Sequence, residues 1–213
     1  MKRIYIKKSV VYYLAQNKWQ FLVVFLSLFL GTILGSYFSI IMNAESNDAM
    51  GEYINNFVSA YNLQSINPAG VFKFSLYNNV KTILLLWVSG LWIGFIPLTF
   101  LQVGVKGYKL GFSTALLVKS FGLKGMLFAV TSAIPQLFIT IPVLVFYSVF
   151  NINFALFQNR SKLHSISSSL KNEIYIKNLL YLVGLIVLSF FVAFLDAYVM
   201  PVVLKPICSI WGK

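Results

Sequence analysis

Acidic residues are scarce in this chain: only 5 Asp and Glu residues stand among its 213 residues, against 17 Lys and Arg. Charged residues of both signs make up 10% of the sequence, whereas hydrophobic residues make up 59%. A soluble domain has about a quarter charged residues, because its surface faces water. This chain therefore lacks the polar residues needed to cover a water-soluble globule, and we expect lipid to surround much of it.

Cysteine and histidine are almost missing as well. Cys208 is the one cysteine and His164 the one histidine. One thiol cannot form an internal disulfide, and a zinc site needs several such ligands at fixed spacing. The sequence also lacks a Ser-His-Asp set, paired carboxylates and a phosphate-binding loop. It predicts a protein that is not an enzyme and that uses neither a cofactor nor a metal.

The formal net charge of +12 raises the question of nucleic acid. A surface that stacks bases needs basic residues interleaved with aromatic ones, and no such stripe occurs here. The basic residues instead bracket apolar segments, as they do where a chain meets an anionic cytoplasmic leaflet. We therefore expect membrane lipid, and no nucleic acid, as a binding partner.

Long apolar runs separate the charged residues. Residues 21–42, 82–105 and 179–204 are each long enough to cross a bilayer at about 1.5 Å per residue. Residues 110–118 cover roughly 14 Å, which is too short, and residues 125–159 are too long for one straight crossing. The sequence thus predicts an all-α, polytopic integral membrane protein with about five transmembrane helices, one of them broken or re-entrant.

Charge placement predicts one membrane domain over residues 1–213. Residues 1–19 hold five basic and no acidic residues and are predicted to be a cytoplasmic leader. Residues 43–79 hold three of the five acids and are predicted to form an external loop, the preferred partner-binding surface there. A turn at 106–109 and a basic loop at 158–178 are predicted inside. Five crossings put the C-terminus outside; the alternative, four crossings and a re-entrant segment, puts it inside but strands the basic loop outside.

Three pairs of glycines have a spacing of four residues, which places both members on one face of a helix. Such a face lets another backbone approach closely. It could be an interface with a partner or with a second copy of the chain, although packing between the protein's own helices is the commoner use. The pairs are Gly31 with Gly35, Gly90 with Gly94, and Gly107 with Gly111.

Two further features interrupt the apolar spans. Asp196 is the one acid in a predicted span, and a carboxylate there is a candidate proton or ion site. It could also lie near the interface or pair with Lys205, and the spans offer it no evident charged companion. Pro135 and Pro142, with Gln136 beside the first, predict a helix break, which is either a substrate site of the kind found in transporters or a plain kink.

The order of several motifs resembles the stage II sporulation protein M family over nearly the whole chain. The motifs are FLGTILGS at 29–36, KGYKLGF at 106–112, IPQLFITIP at 134–142 and FLDAYVMP at 194–201. Where the wider family often has Pro-His-Gly followed by Glu, this chain has Pro135, Gln136 and Leu137. That departure favours the sporulation branch of the family and removes a titratable group from the break.

The resemblance implies a role in endospore formation, at the septal and engulfing membrane. Family members are multi-pass cell-membrane partners of stage II sporulation proteins D and P, which degrade peptidoglycan during engulfment. The implied function is that of a scaffold that localises and organises those two proteins. The alternative, suggested by Asp196 and the broken helix, is a permease-like subunit of a transporter.

Overall fold

The computed structural model describes residues 12–42, 52, 67–163 and 168–209. Within these ranges the chain is almost entirely helical and forms no β-strand, so the predicted all-α class is confirmed. The helices are α1 (Lys18–Ile41), α2 (Pro68–Gly90), α3 (Ile96–Pro135), α4 (Ile141–Leu163), α5 (Ser168–Phe194) and α6 (Met200–Ser209). A 3₁₀ turn, Ile93–Phe95, precedes α3, and two π-helical turns, Gln136–Thr140 and Leu195–Val199, follow α3 and α5.

Four helical segments in the described part of the chain are long and apolar enough to cross a membrane. Large apolar side chains cover their outward faces, among them Phe25, Phe29 and Leu180. A soluble protein buries such residues, whereas a bilayer solvates them. The prediction of a polytopic membrane protein is confirmed. The four segments are Lys18–Ile41, Ile93–Ile134, Leu137–Asn159 and Asn172–Lys205.

The predicted crossing over 82–105 is wrong, because the chain breaks in its middle. Helix α2 ends at Gly90, the 3₁₀ turn Ile93–Phe95 follows, and α3 begins at Ile96. Glycine is favoured at helix ends, and Pro97 lies in the first turn of α3, where its missing N–H costs nothing. Gly90 and Pro97 thus mark the boundary between α2 and α3, which the uncharged run 82–105 did not indicate.

The chain reverses direction inside α3. Gly122 has φ 60° and ψ −135°, a conformation that favours glycine because it has no side chain. Beyond it, Gly125 packs against the carbonyl oxygen of Leu117. The two arms of α3, residues 96–121 and 123–135, therefore form a helical hairpin, and we call them the first arm and the second arm.

This hairpin corrects two further predictions. Residues 110–118, expected to be a short or re-entrant segment, are the later half of the full-length first arm. The predicted turn at 106–109 is also wrong, since the first arm continues through it. The turn was predicted because Lys106 and Lys109 were expected to lie at a membrane surface. In the structure, Lys106 donates a hydrogen bond to Asn79 of α2 instead.

Neighbouring helices show how the passes are arranged. Helix α1 and the first arm run parallel, since Gly31 lies against Gly104 and later residues keep that register. The second arm and α4 return to the start of α1, where Asn153 accepts a hydrogen bond from Gln20 (3.1 Å). Helix α5 then runs back, and Met200 of α6 packs near the end of the first arm. Helix α2 packs against α3, α4 and α5. Four described segments are apolar enough to span a membrane, so the predicted number of five crossings and the side of the membrane on which each end lies stay predictions.

The predicted polar loops are shorter than expected. Asn67 caps α2, accepting a hydrogen bond from the backbone N–H of Ala69 (3.0 Å), so the last part of the loop 43–79 is helix. Most of the basic loop 158–178 is also helix, in α4 and α5. A polar helix can extend beyond the bilayer, where pairs such as Lys177 with Glu173 (2.6 Å) support it. Most of the leader and most of 43–66 lie outside the described residues.

Candidate functional site

Four of the predicted glycines line a close contact between α1 and the first arm of α3, which we call the glycine seam. A methyl group at Gly31 or Gly35 would overlap backbone atoms of the first arm, and one at Gly107 or Gly111 would overlap backbone atoms of α1. The seam is internal packing, so these glycine faces are covered by the protein's own helices and are not free for another chain.

Two serines add hydrogen bonds across the glycine seam. Ser27 donates to the carbonyl oxygen of Phe100 (2.7 Å), and Ser36 donates to that of Gly111 (3.2 Å). Lys119, at the far end of the first arm, donates to the carbonyl oxygen of Ile40 (2.9 Å) in the last turn of α1. A cation there satisfies a carbonyl that the helix leaves unpaired and faces the negative end of its dipole.

Gly90 and Gly94 do not share a helix face, which corrects the prediction for that pair. Gly90 ends α2 and packs on Asn151 of α4, whose Oδ1 would lie 2.8 Å from an added methyl carbon. Gly94 is in the 3₁₀ turn, beside the ring of Trp92. The Asn151 side chain also donates to the carbonyl oxygen of Leu86 (3.1 Å), so a buried amide fixes α4 to the end of α2.

The predicted helix break coincides with the first π-helical turn. Pro135 is the last residue of α3, Gln136 opens the turn and Pro142 is the second residue of α4. Proline has no N–H to continue a helical ladder, and a π turn accommodates the interruption with one extra residue. The second π turn, Leu195–Val199, contains Asp196. Turns of this type are rare and occur often at functional sites.

A chain of hydrogen bonds joins Asp196 to a lysine on another helix. Lys106 donates from Nζ to Oδ1 of Asn79 (3.4 Å), and Nδ2 of Asn79 donates to Oγ of Ser75 (3.4 Å). Ser75 in turn donates to Oδ2 of Asp196 (2.6 Å). This polar relay connects α3, α2 and the second π turn, and it ends in an ammonium group on one side and a carboxylate on the other.

The polar relay lies along a cleft of about 380 Å³ that we call the charged cleft. Its apolar rim includes Val71, Phe74 and Leu110. Both π turns reach it, the first through Thr140 and the second through Asp196. Its polar lining consists of Ser75, Asn78, Asn79, Thr82, Lys106, Lys109, Ser113, Thr140 and Asp196.

The structure gives Asp196 a charged neighbour that the sequence analysis did not suggest. It is half-buried and lies nine residues before Lys205, roughly 14 Å along a helix. Its charged companion is Lys106, which acts on the carboxylate through space, while exposed Lys205 is not its partner. Sequence reasoning missed this companion because Lys106 is 90 positions earlier in the chain.

The charged cleft offers hydrogen-bond donors, two ammonium groups and one carboxylate to a polar ligand. In the part of the chain that the structure describes, no group of three His, Cys, Asp or Glu side chains is placed to hold a metal ion.

The comparison with protein families gives one match. The family model described as Stage II sporulation protein M matches residues 22–201. These residues include the glycines of the glycine seam, both π turns and the whole charged cleft. No curated protein and no solved structure matches the chain.

Proposed function

The chain belongs to the stage II sporulation protein M family, and from this premise we propose that it is a membrane scaffold for peptidoglycan remodelling during engulfment. It is a sporulation-family membrane protein, as the family match and its apolar helices establish. In our proposal it acts at the septal and engulfing membrane, where it localises and organises stage II sporulation proteins D and P. The partners carry out the hydrolysis, and the chain itself has no catalytic role.

The internal packing supports a rigid anchor. The glycine seam brings two helix backbones into direct contact, and close backbone packing is a main source of helix association in lipid. Buried Asn151 ties α4 to α2, and the polar relay ties α2 to α3 and the second π turn. A bundle held together at three such places can keep partner-binding surfaces at fixed positions.

Deletion of the gene tests the proposal in the sporulating host. We expect septation to proceed and engulfment to stop, because the hydrolases would not be organised at the septal membrane. Fluorescence microscopy with a membrane dye follows the engulfing membrane, and a plasmid copy of the wild-type gene serves as the control. Complete engulfment in the deletion strain would contradict the proposed function.

A permease-like subunit is the second candidate, and the charged cleft is the observation that favours it. Paired ionisable residues inside a membrane often mark an ion or proton pathway. If the cleft conducts, purified protein in liposomes loaded with a pH-sensitive dye will move protons, and Asp196→Asn will stop that flux. If it does not, wild-type and Asp196→Asn liposomes will be equally tight, and Asp196→Asn will still support engulfment where it is stably produced.

A further inference from the structure

The charged cleft holds two lysine ammonium groups and one carboxylate, so its formal charge is positive. Each lysine ammonium has three donors. Lys106 has one acceptor among the described residues, Oδ1 of Asn79, at the long distance of 3.4 Å. Lys109 has none within that part of the chain. The single carboxylate, Asp196, accepts a short hydrogen bond from Ser75 and can balance the charge of only one of the two lysines. The cleft therefore favours a ligand that is anionic and rich in acceptors.

The depth of the charged cleft suits a group at the membrane surface. Val71 and Ser75 lie three and seven residues after Pro68, where α2 begins, which is roughly 5 and 11 Å along the helix. The mouth of the cleft is thus near the end of the bundle. Lys106 and Lys109 can extend their flexible side chains toward that end, as lysines near interfaces do.

The lining of the charged cleft is amphipathic. The buried hydroxyl of Thr140 is part of the lining and has no hydrogen-bond partner within the described residues. The rim is apolar, and Phe74 leaves 71% of its surface exposed there. An ion that is polar all round would leave this rim uncovered, whereas an amphiphile would place its charged head on the lysines and its chains along the rim.

From these features we infer that the charged cleft binds the phosphate headgroup of an anionic phospholipid. Phosphate supplies several strong acceptors, and charge-assisted hydrogen bonds from lysine are stronger than neutral ones. The volume of about 380 Å³ accommodates a phosphate with a glycerol-sized substituent. Basic pockets between transmembrane helices bind lipid headgroups in this way. The lipid would occupy the leaflet at the end where α2 begins.

Lipid titration of the purified full-length protein tests this inference. Native mass spectrometry in detergent would measure binding of phosphatidylglycerol, with phosphatidylcholine as the zwitterionic comparison. We expect phosphatidylglycerol to bind at least tenfold more tightly. Lys109→Met and Lys106→Met should each weaken its binding about tenfold, the effect of one lost charge-assisted hydrogen bond. Lys106→Arg should retain most of it.

Controls separate the cleft from general attraction to a basic protein. Lys205→Met removes an exposed lysine on α6, outside the cleft, and should leave phosphatidylglycerol binding unchanged. Lys109 is exposed, so Lys109→Met is expected to fold normally and carries the test if Lys106→Met is unstable. Equal binding of the two lipids, or an equal loss in Lys205→Met and Lys109→Met, would overturn the inference. Displacement of the lipid by an equal concentration of inorganic phosphate would overturn the lipid assignment as well.

Discussion

Gly107→Ala is expected to destabilise the protein strongly, whereas Gly184→Ala is expected to leave it as stable as the wild type or slightly more so. A methyl group at Gly107 would overlap the carbonyl oxygen of Leu28, so α1 and the first arm of α3 would have to separate. Overpacking of a tight interface costs about 1–3 kcal/mol, and occasionally more. Backbone atoms cannot move aside as a flexible side chain can, so we expect the upper part of that range.

The two glycines form a matched pair. Both lie inside helices, so each substitution brings the same gain in helix propensity, about 1 kcal/mol. An added methyl at Gly184 meets no atom within 4 Å. Gly104→Ala gives an intermediate case, because its nearest neighbour would be Oγ of Ser27 at 3.4 Å. Thermal unfolding in detergent and the amount of protein in membranes measure the effect. Equal stability of Gly107→Ala and Gly184→Ala would show that α1 and α3 are not in contact.

Lys106→Met and Asp196→Asn are each expected to destabilise the protein. The double variant is expected to lose less stability than the sum of the two single losses. Each single change removes one charged group and leaves the other in the charged cleft without its companion. Breaking a direct, buried charge pair costs about 3–5 kcal/mol. Lys106 and Asp196 are joined through Asn79 and Ser75 and are partly exposed, so we expect a loss below about 3 kcal/mol. Replacing both groups removes both charges together, which is often nearly neutral.

A double-mutant cycle on thermal or denaturant unfolding gives the coupling energy directly. We expect it to exceed about 1 kcal/mol, since residues within one hydrogen-bond network do not contribute additively. Lys109→Met provides the control, because this exposed lysine is outside the polar relay and its loss should change stability by less than about 0.5 kcal/mol. Additive losses in the cycle would mean that the two charged groups act independently.

Composition and apolar length were sufficient to predict the class of fold. With so few charged residues, the chain can bury its apolar surface only in lipid, and an apolar α-helix satisfies all its backbone groups there within one segment. The order of motifs was also sufficient to identify the family, and the match over 22–201 confirms it. Two of those motifs, at 134–142 and 194–201, contain the π turns, although nothing in them distinguished a π turn from a plain kink.

Helix boundaries were predicted less well, because charge was used as the main marker of the membrane surface. Lys106 is a charged residue inside the bundle, and it can be there because Asn79 and Asp196 come close to it in space. Gly90 and Gly122 end helical segments. No charged residue lies near Gly90 in the sequence, so a search for charge does not find the boundary there. The four-residue spacing identified the faces of the glycine seam, but spacing does not say which helix covers a face.

Co-purification from sporulating cells tests the proposed scaffold most directly. Membranes would be cross-linked during engulfment, and a tagged chain that supports engulfment would be isolated in detergent. We predict that stage II sporulation proteins D and P are both recovered with the wild-type chain and lost with Gly107→Ala, whose bundle is disrupted. A functional tagged chain that recovers neither protein would contradict the account.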